Sequence, residues 1–433
     1  MKYVIETLRK AFNVGDMRKR IIFTIGMIIL FRVGGNIPVP GIDRQLFSHL
    51  IDRFGQIGSM MNIISGGALK AASIFAMGIT PYINSSIIIQ LMTVVLPSLQ
   101  NLQKEGETGR KKMQSIVRYV TIGLGLIQSV AFWYATRSAA STVMPSVLNA
   151  FVVILSFTAG TAVIMWIGEQ INEWGVGNGI SLLIYAGILS RVPYMTSGLF
   201  QYFQAWSAAN NFYIALFFAL LVVIAFVVII VFVSYVSLAE RRIPVTYAKR
   251  VIGRKQFGGQ TTYLPLKVNQ SGVLPIIFAL SLLSLPNMLI SFFFSHSNNW
   301  LVNWFRNPGS SPFYYVLQAL LIIGFTFFYT AIQFNPLEIA NNLQKNGGYI
   351  PGIRPGRPTC DYIGRTSQRI CWFDGLFQTI VVLVPLLLGS ATNTSALWFG
   401  GTSILILVGV NIDLMTRIES QMMTSNYAGF LDR

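Results

Sequence analysis

Long apolar runs alternate with short polar or basic connections along the chain, and the spacing of those runs sets the architecture. A helix rises about 1.5 Å per residue, so about 20 apolar residues cross roughly 30 Å of hydrocarbon. Ten runs have that character: 21–37, 72–96, 115–136, 147–168, 180–198, 213–236, 270–294, 313–334, 371–389 and 396–416. Each predicts a membrane-spanning helix. The first run lacks the small-residue cleavage pattern of a signal peptide and leads directly into Pro38-Val39-Pro40-Gly41, so the mature chain is expected to start at Met1. Before it, Val4, Ile5, Leu8 and Phe12 fall on one helical face, with Lys2, Arg9 and Lys10 available to the other. That pattern predicts a helix lying on the membrane surface.

Offsetting the chain by about 190 residues lays the first five runs over the last five. Gly78-Ile79-Thr80-Pro81 then coincides with Gly272-Val273-Leu274-Pro275, each interrupting the second span of its half. A repeat with an odd number of spans inverts, and paired Gly/Pro breaks in corresponding helices point to a path at the repeat interface. Membrane helices carry Gly and Pro for other reasons too; the match in position favours the path. The expected fold is therefore all-α and integral to the membrane, with inverted halves at 21–198 and 213–416, a hinge loop at 199–212, and terminal segments 1–20 and 417–433. Segment 57–70 is apolar but too short to cross. It is expected to dip in as a short re-entrant helix hinged at Gly66-Gly67, where glycine tolerates a sharp return. A passive interfacial helix is the alternative.

Composition agrees with a lipid-solvated chain, at 53% hydrophobic and 11% charged residues. Charge then orients it. Lys and Arg number six in 1–20, five in 97–118, seven in 237–268, five in 335–370 and two after 416, which is 25 of the 32. The opposite loops hold Arg44, Arg53, Lys70, Arg137, Arg191 and Arg306, and Arg32 lies in the first run. The positive-inside bias assigns both termini to the cytoplasm and accounts for much of the net charge of +17, so basicity is no argument for nucleic-acid binding. Cys360 and Cys371 fall on the cytoplasmic side, where thiols stay reduced; no disulfide and no metal site are expected.

Catalytic patterns are not found. His49 and His296 lie in predicted external loops, and no run holds paired carboxylates or a nucleophile with a base at helical spacing. Glu169, Glu240, Asp374 and Asp413 all fall at predicted cytoplasmic ends. Ion-coupled transporters ordinarily carry ionisable groups at mid-membrane. An inverted-repeat solute transporter remains the alternative function, with a membrane enzyme behind it. Ile79, Ile83, Ile87, Ile180, Ile184, Ile277 and Ile406 recur near the breaks and at matching heights. Such residues usually face lipid, but gathered round one axis they would close a pore by dewetting. Gln90, Gln128 and Asn269 are polar positions in or beside runs 2, 3 and 7. Interhelical bonds between such groups average about 0.6 kcal/mol, which suits a seam that opens and equally suits ordinary helix glue.

Two long basic loops remain, at 237–268 and 335–370. Lys249, Arg250, Arg254 and Lys255 lie at the first; Arg354 and Arg357 lie in the second, where Pro351, Pro355 and Pro358 predict a stiff, extended projection. Such loops could dock RNA phosphates of a ribosome or an acidic motor protein, or simply anchor the topology.

At these residues the chain closely resembles the SecY family, pore subunits of the bacterial Sec translocon. The matching stretches are Ser65-Gly66-Gly67-Ala68-Leu69, Ile74-Phe75-Ala76-Met77-Gly78-Ile79, Gly168-Glu169-Gln170, Gly177-Asn178-Gly179-Ile180-Ser181, Tyr247-Ala248-Lys249-Arg250, Pro265-Leu266-Lys267-Val268-Asn269, Phe334-Asn335-Pro336, Pro351-Gly352-Ile353-Arg354-Pro355-Gly356 and Phe399-Gly400-Gly401-Thr402-Ser403. Their order along the whole chain is what makes the match specific. The resemblance implies a central pore that passes unfolded secretory polypeptides and releases transmembrane segments sideways into lipid, with no cofactor. It implies that segment 57–70, with Met60, Met61, Asn62, Ile63, Ile64, Ser65, Gly66 and Gly67, is a plug, and that the isoleucines form a constriction ring. Spans 2 and 7 would be a lateral gate, with Asn84 and Leu285 on facing sides. The basic loops would dock the ribosome and the SecA ATPase, with Arg354 central, and the implied partners include SecE, SecG, signal-sequence-bearing preproteins and membrane lipid. The implied location is the bacterial plasma membrane. Trp174 stands where a basic residue is common, Cys360, Cys371 and Trp372 are unusual, and the tail after Tyr427 carries little positive charge.

Overall fold

A computed structural model describes residues 12–53, 62, 65–137, 145–193, 204, 212–247, 250–252, 255–257, 261–293, 312–392 and 400–431. The surface helix expected before the first run lies outside them, apart from Phe12. Every apolar run overlaps a helix. In the first part of the chain these are α1 (Gly15–Gly34), α2 (Arg44–Arg53), α3 (Thr80–Val95), α4 (Pro97–Lys104), α5 (Glu107–Thr136), α6 (Ser146–Trp174) and α7 (Gly179–Leu189). The second part holds α8 (Phe212–Leu238), α9 (Leu274–Phe293), α10 (Pro312–Gln333), α11 (Pro336–Lys345), α12 (Arg357–Thr392) and α13 (Gly400–Leu431). Among the described residues five helical stretches are long and apolar enough to cross a membrane, or six if α3 and α4, bent by 100°, count as one broken span. Their outer faces stay apolar: Leu216, Leu220, Val227 and Val231 of α8 are all exposed, as a lipid-facing surface requires.

The first set of helices packs through α3 on α5, α5 on α6, α6 on α7 and α1 on α6 and α7. The second packs through α9 on α10, α10 on α12, α12 on α13 and α13 on α8. The main contacts between the sets are α9 against α3 and α5, and α13 against α7.

The paired Gly-x-x-Pro motifs start helices instead of interrupting them. Gly78 and Gly272 adopt φ of 58° and 66°, and the helix begins two residues later in both cases. Left-handed backbone suits glycine, and proline as the second helical residue gives up an amide that a first turn leaves unpaired anyway. Run 72–96 is accordingly helical only from Thr80; residues 65–79 form successive turns. At the other end of the first set, Asn178 caps α7 by accepting from the amides of Ile180 (3.1 Å) and Ser181 (3.4 Å), which explains the Gly177-Asn178-Gly179 sequence.

The fold is not purely α. Basic loop 237–268 contains β1 (Glu240–Tyr247), β2 (Arg250–Ile252), β3 (Lys255–Phe257) and β4 (Thr261–Lys267). β1 pairs antiparallel with β4 from Glu240↔Lys267 to Thr246↔Thr261, and β5 (Gly348–Tyr349) joins it at Thr246 and Tyr247. Alternation in β1 buries Ile243 and Val245 with Leu266, Ile350 and Ile363, so the strand pattern is a core pattern. Pro244 sits where β1 has a neighbour on one side only, the edge position that a residue without an amide tolerates. The loop at 335–370 departs from the extended projection expected of it. It is mostly helix, with α11 capped by Asn335 and α12 beginning at Arg357, because its prolines fall at a helix start, in a tight turn and again at a helix start.

Close approach of α6 to the turn segment requires Gly160, where a Cβ would collide with the Ile74 carbonyl oxygen. Gly160→Ala is expected to cost about 1–3 kcal/mol of stability through overpacking. Gly123→Ala, with nothing within 4 Å of the added carbon, should be neutral or slightly stabilising. Thermal unfolding in detergent measures both, and equal midpoints would mean that α6 does not press on this segment.

Candidate functional site

The seven isoleucines come from separate stretches: Ile79 just before α3, Ile83 and Ile87 in α3, Ile180 and Ile184 in α7, Ile277 in α9 and Ile406 in α13. Six are buried members of one hydrophobic cluster and Ile180 packs against it, partly buried. They are drawn from both helix sets, at the lines where those sets touch. A cavity of about 300 Å³ adjoins the cluster, lined by Ile277 and Val410 and by polar groups including Asn178, Lys267, Asn269 and Asp413.

Of the segment expected to re-enter, Asn62, Ser65, Gly66 and Gly67 are described, and Met60, Met61, Ile63 and Ile64 lie outside the described residues. From Ser65 onward the chain is turn, not helix. Gly66 and Gly67 both take positive φ, 66° and 92°, the left-handed backbone that glycine tolerates. Asn62 is fully buried and its side-chain oxygen accepts from the Lys70 amide at 3.1 Å. The Gly66 carbonyl accepts from Arg32 Nη1 at 2.8 Å and from Ser190 Oγ at 3.3 Å, tying the segment to α1 and to the end of α7. A Cβ on Gly66 would lie 2.9 Å from Gly187 Cα, so this contact of α7 with the segment is backbone on backbone. Beside it opens a cleft of about 750 Å³ lined by Gly66, Gly67, Arg32, Arg44, Lys70 and Arg191.

The polar positions do not bond as their sequence suggests. Gln90 of α3 accepts at 2.6 Å from the Tyr329 hydroxyl of α10, not from Asn269. Among the described residues, Asn269 Oδ1, both amide atoms of Asn84 and Gln128 Nε2 are buried without partners. Asn84 belongs to α3, which packs on α9; Leu285 is in α9, and its side chain lies outside the described residues. Asn269 precedes α9 by a turn, whereas Tyr329 lies within α10. Tyr329 was not legible as a partner, being one of 17 tyrosines with no spacing to mark it.

Ahead of α9 lies a second unmarked feature. Asp374 of α12 is fully buried; its Oδ2 accepts from Ser271 Oγ at 2.8 Å and its Oδ1 from Gln378 Nε2 at 2.9 Å. Gln378 Nε2 also reaches the Gly272 carbonyl at 3.2 Å. This polar node holds the left-handed glycine that starts α9. Nearby in sequence, Cys371 is buried and bonds Thr330 Oγ1 at 3.4 Å, while Cys360 is partly exposed; both are free thiols. On α5 and α6, Arg118 and Glu169 pair at 2.8 Å.

Arg354 is exposed in the turn between β5 and α12, its carbonyl accepting from Thr359 Oγ1 at 2.9 Å, and Arg357, also exposed, opens α12. Lys249 and Arg254 lie outside the described residues. Arg250 and Lys255 belong to the β2–β3 hairpin, pairing with Phe257 and Ile252, and their side chains lie outside the described residues. Among the described residues no cluster of three or more His, Cys, Asp or Glu is placed to hold a metal ion.

Removing the Asp374 carboxylate leaves Ser271 and Gln378 without their buried acceptor. Asp374→Ala is expected to destabilise by about 1–3 kcal/mol, and Asp374→Asn by less, because an amide keeps one acceptor oxygen. Unfolding in detergent distinguishes them; identical losses would place the weight on charge and not on the bonding pattern.

A family model described as SecY matches residues 73–415. The protein translocase subunit SecY of Streptomyces scabiei is 40% identical to this chain, covering 99% of it and 100% of the relative. Among solved structures, one described as the structure of a protein conducting channel superposes with a TM-score of 0.62 at 17% identity, covering 94% and 93% of the two chains. Sec61 in the canine ribosome-channel complex from the endoplasmic reticulum follows at a TM-score of 0.58, 16% identity and the same coverage. The likeness to the two solved structures is one of fold, and with the apolar helices it fits a multi-pass membrane protein. By the extent of the family match and the full-length identity, the chain belongs to the SecY family.

Proposed function

We propose that this chain is the pore-forming subunit of a protein-translocation channel, passing unfolded secretory polypeptides across the membrane and releasing apolar segments sideways. One observation carries the reading: six of the seven isoleucines, from α3 and the turn before it, α7, α9 and α13, belong to one buried cluster, and Ile180 packs against it. Branched apolar side chains round a constriction exclude water and ions without offering a polar site at which a passing peptide would stick. Ten spans in two inverted halves, both termini cytoplasmic in a bacterial plasma membrane, make that convergence a pore on the repeat axis. Segment 57–70 is its plug, and α3 against α9 is its lateral exit.

The exposed sheet-and-turn face with Arg354 and Arg357, and the β2–β3 hairpin with Arg250 and Lys255, then serve as docking surface. A fold neighbour that works within a ribosome-channel complex supports a ribosome as one occupant. The SecA ATPase is the second, and SecE and SecG are the expected small partner subunits. Surfaces of this charge steer anionic partners strongly at low salt.

Reconstitution into vesicles with an ATP-driven motor and a secretory preprotein is the direct test. Wild type should transport; Arg354→Glu should fold and insert normally yet lose transport, and normal transport by it would remove this turn from docking. For the seal, glycine at both Ile83 and Ile277 should raise the ion conductance of the idle channel in planar bilayers. Unchanged conductance would locate the barrier elsewhere.

A further inference from the structure

Few cations stand apart from the basic cytoplasmic loops: Arg44, Arg53, Lys70, Arg137, Arg191 and Arg306, with Arg32 in the first run. Four of them gather at one place. Arg32 of α1, Arg44 of α2, Lys70 of the turn segment and Arg191 just after α7 line the cleft of about 750 Å³ beside Gly66 and Gly67. Arg137 instead lies over the Tyr134 ring at 4.6 Å, and the side chains of Arg53 and Arg306 lie outside the described residues.

Among the described residues no carboxylate lines this cleft. Asp43, next to Arg44 in sequence, is occupied at the start of α2, where its Oδ1 accepts from the amides of Gln45 at 2.8 Å and Leu46 at 3.2 Å. Arg32 gives the Gly66 carbonyl, at 2.8 Å, one N–H of the several that a guanidinium carries. Arg191 lies over the next residue, since a Cβ added to Gly67 would stand 3.5 Å from its Nη1. The two arginines therefore bracket the diglycine, and Gln45 and Ser48 add neutral polar groups round the same space. Like charges gathered from four elements repel one another, and an anion among them offsets that repulsion. Guanidinium forks converging from three sides suit the tetrahedral oxygens of a phosphate better than the two coplanar oxygens of a carboxylate.

We propose that this cleft binds a phosphate-class oxyanion, and that the bound anion ties the turn segment to α1, α2 and α7. Its place on the outer face, and any consequence for the pore, rest on the proposed topology and plug. The anion adds to the bonds that Arg32 and Ser190 make to the Gly66 carbonyl, because it holds Lys70 and the ends of three helices at once. When the segment shifts, Lys70 leaves with it and the anion loses a ligand. Occupancy therefore favours the seated segment by mass action. Inorganic phosphate in solution and the terminal phosphate of a lipid headgroup offer the same chemistry.

The test uses the full chain with its partner subunits in detergent and inorganic phosphate as the probe, against chloride at matched ionic strength. Phosphate should bind, and at about ten times its dissociation constant should slow hydrogen exchange of the Ala68–Ser73 amides about tenfold. Arg44→Gln and Arg191→Gln should each weaken binding about tenfold or more, as loss of a charge-assisted bond does, while Arg137→Gln should not. Vesicles of phosphatidylcholine with and without phosphatidic acid then separate the sources. Slow exchange with phosphatidic acid alone names the lipid, slow exchange only on adding phosphate names the free anion, and both uphold the site. Phosphate that binds no better than chloride, or binding and protection that survive both cleft variants, would overturn it. Phosphate on the outer side of planar bilayers should also lower the conductance of the idle channel. Protection of the segment with unchanged conductance would overturn the plug reading and leave the anion site standing.

Discussion

Backbone that is not helical, buried among membrane helices, must find a hydrogen bond for every peptide group it hides from water. The stretch from Ser65 to Ile79 meets this demand largely within itself: Gly67 bonds back to Asn62, Ala71 to Gly67, Ser73 to Ala68, Ala76 to Ser73 and Gly78 to Phe75. Its ties to the surroundings are fewer and located at its ends and middle. Val39 donates to Ala72 at 2.9 Å and Ile74 to Ile37 at 3.0 Å, while Arg32 and Ser190 hold the Gly66 carbonyl. A segment satisfied internally can shift as a body, exchanging a few outer bonds without exposing a row of unpaired amides.

Both helices at the seam start late, at Thr80 and Leu274, behind a left-handed glycine. The same local device serves opposite ends. In the first half it releases the chain into the turn segment. In the second it delivers Ser271 and Gly272 to the buried node on Asp374 and Gln378, so the start of α9 is clamped to α12. With α9 further packed on α10 through Phe278, the start of α9 is held from two sides within the second helix set.

The sequence made the helices readable because lipid demands unbroken apolar runs, and all ten runs overlap helices. The isoleucines were readable as a set only through the family resemblance, since any one of them suits lipid as well as a core. Helix starts at Thr80 and Leu274 were blurred, as apolar turns and apolar helix have the same hydropathy; only the glycine φ separates them. The sheet at 240–267 was hidden by its charges: Arg241, Arg242 and Lys267 read as a basic loop, and the short alternation at Ile243 and Val245 gave the strand away only with hindsight. Asp374 was assigned to a helix end because its apolar run starts at 371, although it is fully buried and bonded to Ser271 of another segment and to Gln378. Partner choice for Gln90 depended on which helix lay across the seam, and that is tertiary information no spacing supplies.

Shape and polarity along the seam set how firmly it closes. The isoleucine cluster contributes contact that is extensive but non-directional, so it re-forms in any register that restores packing. Both amide atoms of Asn84, Gln128 Nε2 and Asn269 Oδ1 are buried with no partner among the described residues. In hydrocarbon such groups keep an unmet demand for a donor or acceptor, and a hydrated or peptide-bearing helix entering the seam can meet it. A channel that must hold ions back yet yield to a hydrophobic peptide requires that combination: tight apolar packing where ions would pass, and incompletely satisfied polar groups where a helix would enter.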